Sequence, residues 1–357
     1  MNPDKRNLLI IIFIGTLAWF PTLSFWFYKA YEATWLASVM PHTFINLVRG
    51  HAFLYLLDLK LFGWNPVGWY VTAILLHLVA ASLWYIFLKN ITKSSTIALV
   101  SGLIFVASSS YIDVIAWGSA NSYYSLLLIF ILISTIAYGK FLENKSFLFY
   151  LVSVLFVSIG FFIRETGLAI VPLLTLFDLC MTFTYYSKNK LKKRKKIQWR
   201  IVIKSILIPI MVRQIPFYIM VILFYFFRQS YGGVPGDNVD SLVKWRIKLI
   251  NDGMYLELLW AMILTSGKLI APQLIPYPIL NLLREIVGKI IPMQIVNMYF
   301  FSFIGLFIYG CLGFIIYKIR KNKNLFLISV FFLILIGIFS LFVSLAVPND
   351  TQSLSGK

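Results

Sequence analysis

Unbroken apolar runs of about 20 residues recur along this chain, and they restrict its fold more than any other feature. A hydrocarbon core about 30 Å thick takes roughly 20 apolar residues per helical crossing. Runs that meet or approach this length lie at roughly 8–28, 67–88, 96–111, 123–142, 147–163, 168–186, 205–227, 296–318 and 325–347. A membrane barrel would instead alternate apolar and polar residues over segments of about 10. The reading is an all-α, polytopic transmembrane helical bundle of about nine spans. Composition agrees, with 60% of the 357 residues hydrophobic, 13% charged and a mean hydropathy of +0.84. Soluble domains hold about 45–50% apolar and about 25% charged residues. A soluble enzyme, a coiled coil and a disordered binder are excluded.

Charge sets the orientation. Thirty-two Lys and Arg against 13 Asp and Glu give a net charge of +19. In a soluble protein that excess would point to nucleic acid. Here the cations sit mostly in short loops between apolar runs, the distribution that fixes the inner side of a membrane chain, so no nucleic-acid partner is expected. Lys188, Lys190, Lys192, Lys193, Arg194, Lys195, Lys196 and Arg200 crowd the loop 187–204, which is therefore read as cytoplasmic. Counting back six spans puts Lys5 and Arg6 inside, along with Lys89, Lys93, Lys140 and Lys145. The expectation is a multi-pass plasma-membrane protein with its N-terminus cytoplasmic and its C-terminus outside. The run from Leu8 is too long, and lacks the small-residue cleavage site, for a removed signal peptide. Cys180 and Cys311 alone imply neither a disulfide framework nor a cysteine metal site.

The chain reads as a single transmembrane domain, 1–357. Its first outer loop, 28–66, is rich in aromatic residues and should lie on the membrane as amphipathic interfacial helices, with Trp35, Trp64 and Trp69 as anchors. A second long outer loop covers 228–296. Within it, 254–272 carries Glu257, Lys268 and Pro272, and 277–292 carries Arg284, Glu285 and Lys289. Both read as re-entrant or interfacial helices.

No Walker loop, HExxH, CxxC or GxSxG signature is present. The informative residues are ionisable groups at the outer ends of spans, where burial is costly and function is the default reading. Glu32 follows span one, Asp113 follows span three, Arg164 and Glu165 close span five, and Arg228 ends span seven. Odd-numbered spans would deliver all five to one membrane surface. Each also has an ordinary structural role open to it. Arg164–Glu165 could stop a helix, Arg228 could snorkel to water, and Asp113 could cap the helix after it. His42 and His51 fit interfacial positions, and His77 fits a mid-span hydrogen bond to a neighbouring helix.

Several strings together resemble the GT-C superfamily of membrane glycosyltransferases, which includes the protein O-mannosyltransferases. Leu61-Phe62-Gly63-Trp64-Asn65-Pro66, then Trp69-Tyr70 and Leu75-Leu76-His77-Leu78, is similar to the family's passage from first outer loop to second span. Asp113-Val114-Ile115-Ala116-Trp117-Gly118-Ser119 resembles its acid-to-Trp outer turn, and the stretch from Phe161 to Pro172 resembles its basic–Glu turn. Asp178 stands where the following span often ends in Asp, and Tyr225 to Gly233 resembles a later span ending in Arg. The likeness covers most of the first 235 residues. Two departures stand out: Tyr31-Glu32 replaces the usual acidic pair, and Arg49-Gly50 replaces Arg-Pro.

The resemblance implies an inverting hexosyltransferase that moves a sugar from a polyprenyl-phosphate donor to an acceptor on the outer face. The acceptor could be a glycan, a lipid or a protein. Glu32 and Asp113 are the implied catalytic residues, with Glu32 as general base. Arg164, Glu165, Arg228, Arg49, Trp117, Asn121 and His42 are the implied substrate-binding set, the arginines holding the departing phosphate. No cofactor is specified, and dispersed carboxylates leave a divalent cation such as Mg or Mn open. The alternatives are a multispan transporter or lipid flippase, and a catalytically altered GT-C-like protein. Ala346-Val347-Pro348-Asn349-Asp350 resembles a point where relatives turn into a further outer loop, so a chain shortened at its C-terminus is expected beside a natural short variant.

Overall fold

A computed structural model describes residues 2–25, 50–108, 115, 118–163, 167–168, 170–190, 206–230, 251–256, 259–260, 263–264, 267, 277–319, 329–330 and 333. Its ordered elements are all helical, with no strand among the described residues. They are α1 (Pro3–Trp19, continued by a 3-10 turn, Phe20–Ser24), α2 (Gly50–Phe62), α3 (Pro66–Thr92), α4 (Ser95–Ala107), α5 (Gly118–Asn144), α6 (Phe147–Ile163), α7 (Ile170–Lys190), α8 (Ile208–Ser230), α9 (Tyr277–Gly288) and α10 (Met293–Ile319).

Local chemistry sets several boundaries. The Asn2 and Asn65 side chains accept from the backbone N–H of Asp4 and Val67, each beside a proline in the first turn, where a missing N–H does no harm. Lys93 and Lys145 turn the chain between successive helices in the left-handed region, each with φ 56°, closing the preceding helix through bonds to the Lys89 and Phe141 carbonyls.

Among the described residues, five helical stretches are long and apolar enough to cross a membrane: Pro3–Ser24, Pro66–Thr92, Tyr124–Asn144, Ile208–Phe227 and Tyr299–Lys318. Three further apolar helices are shorter, Ser95–Ala107, Phe147–Ile163 and Ile170–Thr182. At 1.5 Å per residue, α4 with its 13 residues reaches only about 20 Å. Helices therefore occupy eight of the nine apolar runs. The ninth, 325–347, lies outside the described residues except at 329, 330 and 333. Most of the basic loop 187–204 also lies outside them, beyond the end of α7.

The chain separates into two compact units, residues 1–107 with 111–231, and residues 108–110 with 232–357. In the first unit, side-chain contacts show a strict alternation of direction. At one end the start of α1 meets the end of α3 through Asp4, Asn7, Tyr85 and Lys89. The end of α3 meets the end of α5 through Lys93 and Glu143, and the end of α5 meets the start of α6 through Tyr138, Phe141 and Tyr150. The end of α7 and the start of α8 join them through Asp178 and Arg213. At the opposite end, Trp19 of α1 donates to the Val106 carbonyl of α4. There, too, the start of α3 and the start of α5 pack with the end of α6 around Trp69, Leu127 and Ile163, and Phe162 meets Phe224 and Phe227 of α8. Lys89, Lys93, Lys140 and Lys145 all belong to the first, basic end. Trp69, Tyr85, Tyr138, Phe161 and Phe217 are sealed inside. Met211, Val212, Ile222 and Phe226 of α8 remain uncovered, as a lipid-facing helix requires.

The second unit packs through glycine. A Cβ on Gly267 would overlap the Phe301 carbonyl of α10, and one on Gly305 would overlap the Ile263 carbonyl. Small residues at this crossing let two helical backbones meet directly, the usual device between apolar helices.

Candidate functional site

The residues expected at the site divide by what can be said of them. Glu32, His42, Arg49, Asp113, Trp117, Arg164 and Glu165 lie outside the described residues. Asn121 lies in the first turn of α5 and Arg228 in the last turn of α8, with side chains outside the described set. The described chain neighbours of Arg164, Asn121 and Arg228 belong to the end of the first unit opposite the lysines. Ile163, which precedes Arg164, packs with Tyr55, Trp69 and Leu127. Phe227, which precedes Arg228, touches Phe162. Val106, at the end of the helix that leads towards Asp113, accepts from Trp19.

That same end holds a helix the sequence did not resolve from the rest of its loop. α2 lies immediately after Arg49 and packs against α3, α5 and α6. Tyr55 stacks on Trp69 with ring centroids 6.4 Å apart, and the Trp69 indole N–H donates to the Gly63 carbonyl at 3.0 Å. Gly63 turns the chain there in the left-handed region, with φ +56°, which glycine adopts most readily.

Asp58, on this helix, was missed by sequence reasoning. It is 1% exposed. Its Oδ1 accepts from the Thr72 hydroxyl of α3 at 2.7 Å, and its Oδ2 is buried with no hydrogen-bond partner among the described residues. A carboxylate so poorly satisfied is expensive away from water. Burial therefore pushes its carboxyl up to about 6, against the smaller lowering effect of the Thr72 bond. The signal was present in the sequence: an acid flanked by Leu56, Leu57 and Leu59, in a helix with no room to turn it outward.

The other conspicuous polar cluster lies at the basic end. Asp178, fully buried in α7, accepts from Arg213 Nε at 3.0 Å and Nη2 at 2.8 Å, a forked pair. Tyr138 donates to the same carboxylate at 2.6 Å and Thr182 at 2.9 Å, while Gln214 donates to Tyr138 at 2.7 Å and to Asp178 at 3.4 Å. Tyr150 donates to the Arg213 carbonyl at 2.6 Å, one turn before Pro216 interrupts α8. Four helices are thus tied by one ion pair. The resemblance had singled out Asp178 alone; Tyr138, Arg213 and Gln214 look ordinary in sequence, because their partners are 31 to 76 positions away. With its acceptors filled, this cluster is a clamp and has no free group to offer a substrate.

Between the two ends, His77 stacks on Phe105 at 5.2 Å and its Nε2 lies 3.3 Å from the Val106 carbonyl. This is the interhelical bond the sequence suggested. Among the described residues, no three His, Cys, Asp or Glu side chains come together as a metal site, and neither Cys180 nor Cys311 forms a disulfide.

No protein-family model, curated protein or solved structure matches the chain.

Proposed function

We propose that this chain is an integral-membrane glycosyltransferase that moves a sugar from a polyprenyl-phosphate donor to an acceptor at the outer face of the membrane. One observation supports this most. The alternating helices of the first unit bring the described neighbours of Arg164, Arg228 and Asn121 to one end, and the lysine-rich turns to the other. By the positive-inside rule the lysine end is cytoplasmic, so the candidate site faces outward. Nine spans, with the N-terminus inside and the C-terminus outside, complete the proposed topology.

In this reading Glu32 takes the proton of the acceptor hydroxyl as it attacks the anomeric carbon. The bond to the polyprenyl phosphate breaks, and the charge that builds on the leaving oxygen falls to Arg164 and Arg228, with Arg49 nearby in sequence to α2. Asp113 and Glu165 orient these cations, and a divalent cation remains open. Trp117, Asn121 and His42 line the sugar side. A transporter would need charges along a passage at mid-membrane. The one ion pair described inside the helices, Asp178 with Arg213, is instead closed by its neighbours.

The test is sugar transfer from defined polyprenyl-phosphate donors by the full chain in membranes. Glu32→Gln should cut transfer by about 10²- to 10⁴-fold while leaving insertion intact, the range for loss of a general base. Absence of transfer from every donor, or full activity of Glu32→Gln, overturns the proposal.

A further inference from the structure

In the second unit, α9 divides its surface three ways. Leu280, 1% exposed, and the half-buried Arg284 and Val287 share one flank, at about 100° per residue around the helix. Ile279, Leu282, Leu283 and Ile286 form a second flank, and all are uncovered, with Ile286 46% exposed, and Ile290, in the turn just after the helix, is 81% exposed. Asn281 and Glu285 make up the third, with Lys289 just past the helix end. Sequence periodicity cannot separate the first flank from the second, since both are largely apolar; burial does.

With 12 residues, α9 is about 18 Å long, too short to cross a bilayer. Only residues 289–292 separate it from α10, which contains the membrane-length stretch Tyr299–Lys318. That link is itself a tight turn, with Ile291 N–H bonded to the Val287 carbonyl and Val296 N–H to that of Pro292. Four residues reach at most about 14 Å, so the end of α9 is held close to where α10 begins. Phe303 and Phe307 of α10 are exposed as well. A groove of about 380 Å³, lined by Val287, Ile291, Val296, Phe300 and Phe303 among others, runs along the junction. Its wall is apolar except for Tyr299.

We propose that α9 is a membrane-surface helix, with Ile279, Leu282, Ile286 and Ile290 seated among the acyl chains and Asn281, Glu285 and Lys289 at the headgroups. The occupant of the stripe is the lipid bilayer, with lipid chains filling the groove beside α10. An interfacial helix of this kind buries its apolar face about 5–10 Å into the headgroup–acyl boundary. The short link to a membrane-length helix places α9 at the bilayer, and the charged flank sets its depth, since sinking into hydrocarbon would leave Glu285 and Lys289 without water. The inference stands apart from the sugar-transfer reading, since it uses neither Glu32 nor any residue of the first unit.

Nitroxide labels placed singly at Asn281, Leu282, Glu285, Ile286 and Ile290 test it, in the full chain with Cys180→Ala and Cys311→Ala, reconstituted in phosphatidylcholine–phosphatidylglycerol vesicles. Collision with oxygen relative to a water-soluble nickel chelate should be several-fold higher at Leu282, Ile286 and Ile290 than at Asn281 and Glu285. Equal ratios at all five positions would put the stripe in water. Shielding of the three apolar positions from both reagents would mean a protein cover, such as a second copy. Either outcome overturns the proposal. Should the cysteine-free chain not fold, the unaltered chain can be photolabelled with a diazirine phospholipid. Adducts on Ile286 and Ile290 support the assignment, and their absence overturns it.

Discussion

At the basic end of the first unit, Asp178 accepts from four side chains, Arg213, Tyr138, Thr182 and Gln214; at the opposite end, Asp58 accepts from Thr72 alone. Both carboxyls are almost wholly removed from solvent. In the first, a guanidinium and three neutral donors replace the lost water. The second has one donor and an unpaired oxygen, and burial pushes its carboxyl up to about 6. The difference teaches where the bundle is fixed and where it responds to conditions. The clamp joins α5, α6, α7 and α8 through a filled set of bonds, whereas burial of Asp58 against α3 becomes less favourable as pH rises through about 6.

The sharpest way to break the comparison is Asp178→Leu. It leaves the Arg213 guanidinium, with 19% of its side chain exposed, buried and unpaired. Breaking a buried pair from one side costs about 3–5 kcal/mol. The thermal midpoint of the detergent-solubilised chain should fall accordingly. Removing both charges, Asp178→Leu with Arg213→Met, should recover most of the loss, because no orphaned charge remains. If the single substitution is nearly neutral, the guanidinium reaches water and the clamp is not what holds the four helices.

The next effect comes from Asp58. Its folded value of about 6 lies above the ordinary 3.8. Its contribution is therefore fully present below about 3.8, where folded and unfolded chains both carry the proton, and is lost as pH rises through about 6. Two units correspond to about 3 kcal/mol between the two limits. Unfolding of the solubilised chain at a series of pH values between these limits and above should show stability falling as pH rises. Asp58→Asn should flatten that part of the profile. An unchanged profile in Asp58→Asn would show that the buried oxygen is satisfied after all.

Tyr138→Phe sharpens the picture of the clamp. It removes the 2.6 Å donor to Asp178 and the acceptor for Gln214, while Arg213 and Thr182 stay in place. A loss of about 1–3 kcal/mol in the same unfolding measurement is expected for a bond to a charged group. At the surface of the same end, Glu143→Gln removes an exposed partner of Lys93, 3.5 Å away. It should change stability by no more than about 1 kcal/mol, and by less as salt rises. A large loss there would mean that the basic end is held by its surface charges.

The apolar runs, their approximate limits and their alternating direction were legible because each rests on local chemistry: apolar length, Asn-Pro starts at Asn65 and the lysine turns after Thr92 and Asn144. His77 was also read correctly, since a polar ring in an apolar helix must find a partner across it. The shortness of α4 was missed because the apolar run was carried to 111 across Ser108, Ser109 and Ser110, whereas the helix ends at Ala107, where the serines begin. Of the candidate site, the sequence supplied the sorting of charged residues to one surface. It overlooked Asp58, because an acid on an interfacial helix is expected to face headgroups and water rather than a neighbouring helix.

What the sequence determined by itself is the class of solvent. Nothing except a bilayer accommodates so many continuous apolar runs, and backbone polarity then requires that they be helices. Which polar side chains meet was decided only by tertiary structure. Asp178 and Arg213 are 35 positions apart, and Asp58 and Thr72 belong to different helices. Their protonation and their pairing follow from what surrounds them, and so does the split of α9 into a protein-facing and an uncovered flank. Leu280 and Ile286 are equivalent in hydropathy, yet only packing against the rest of the unit distinguishes a residue that is sealed from one left for lipid.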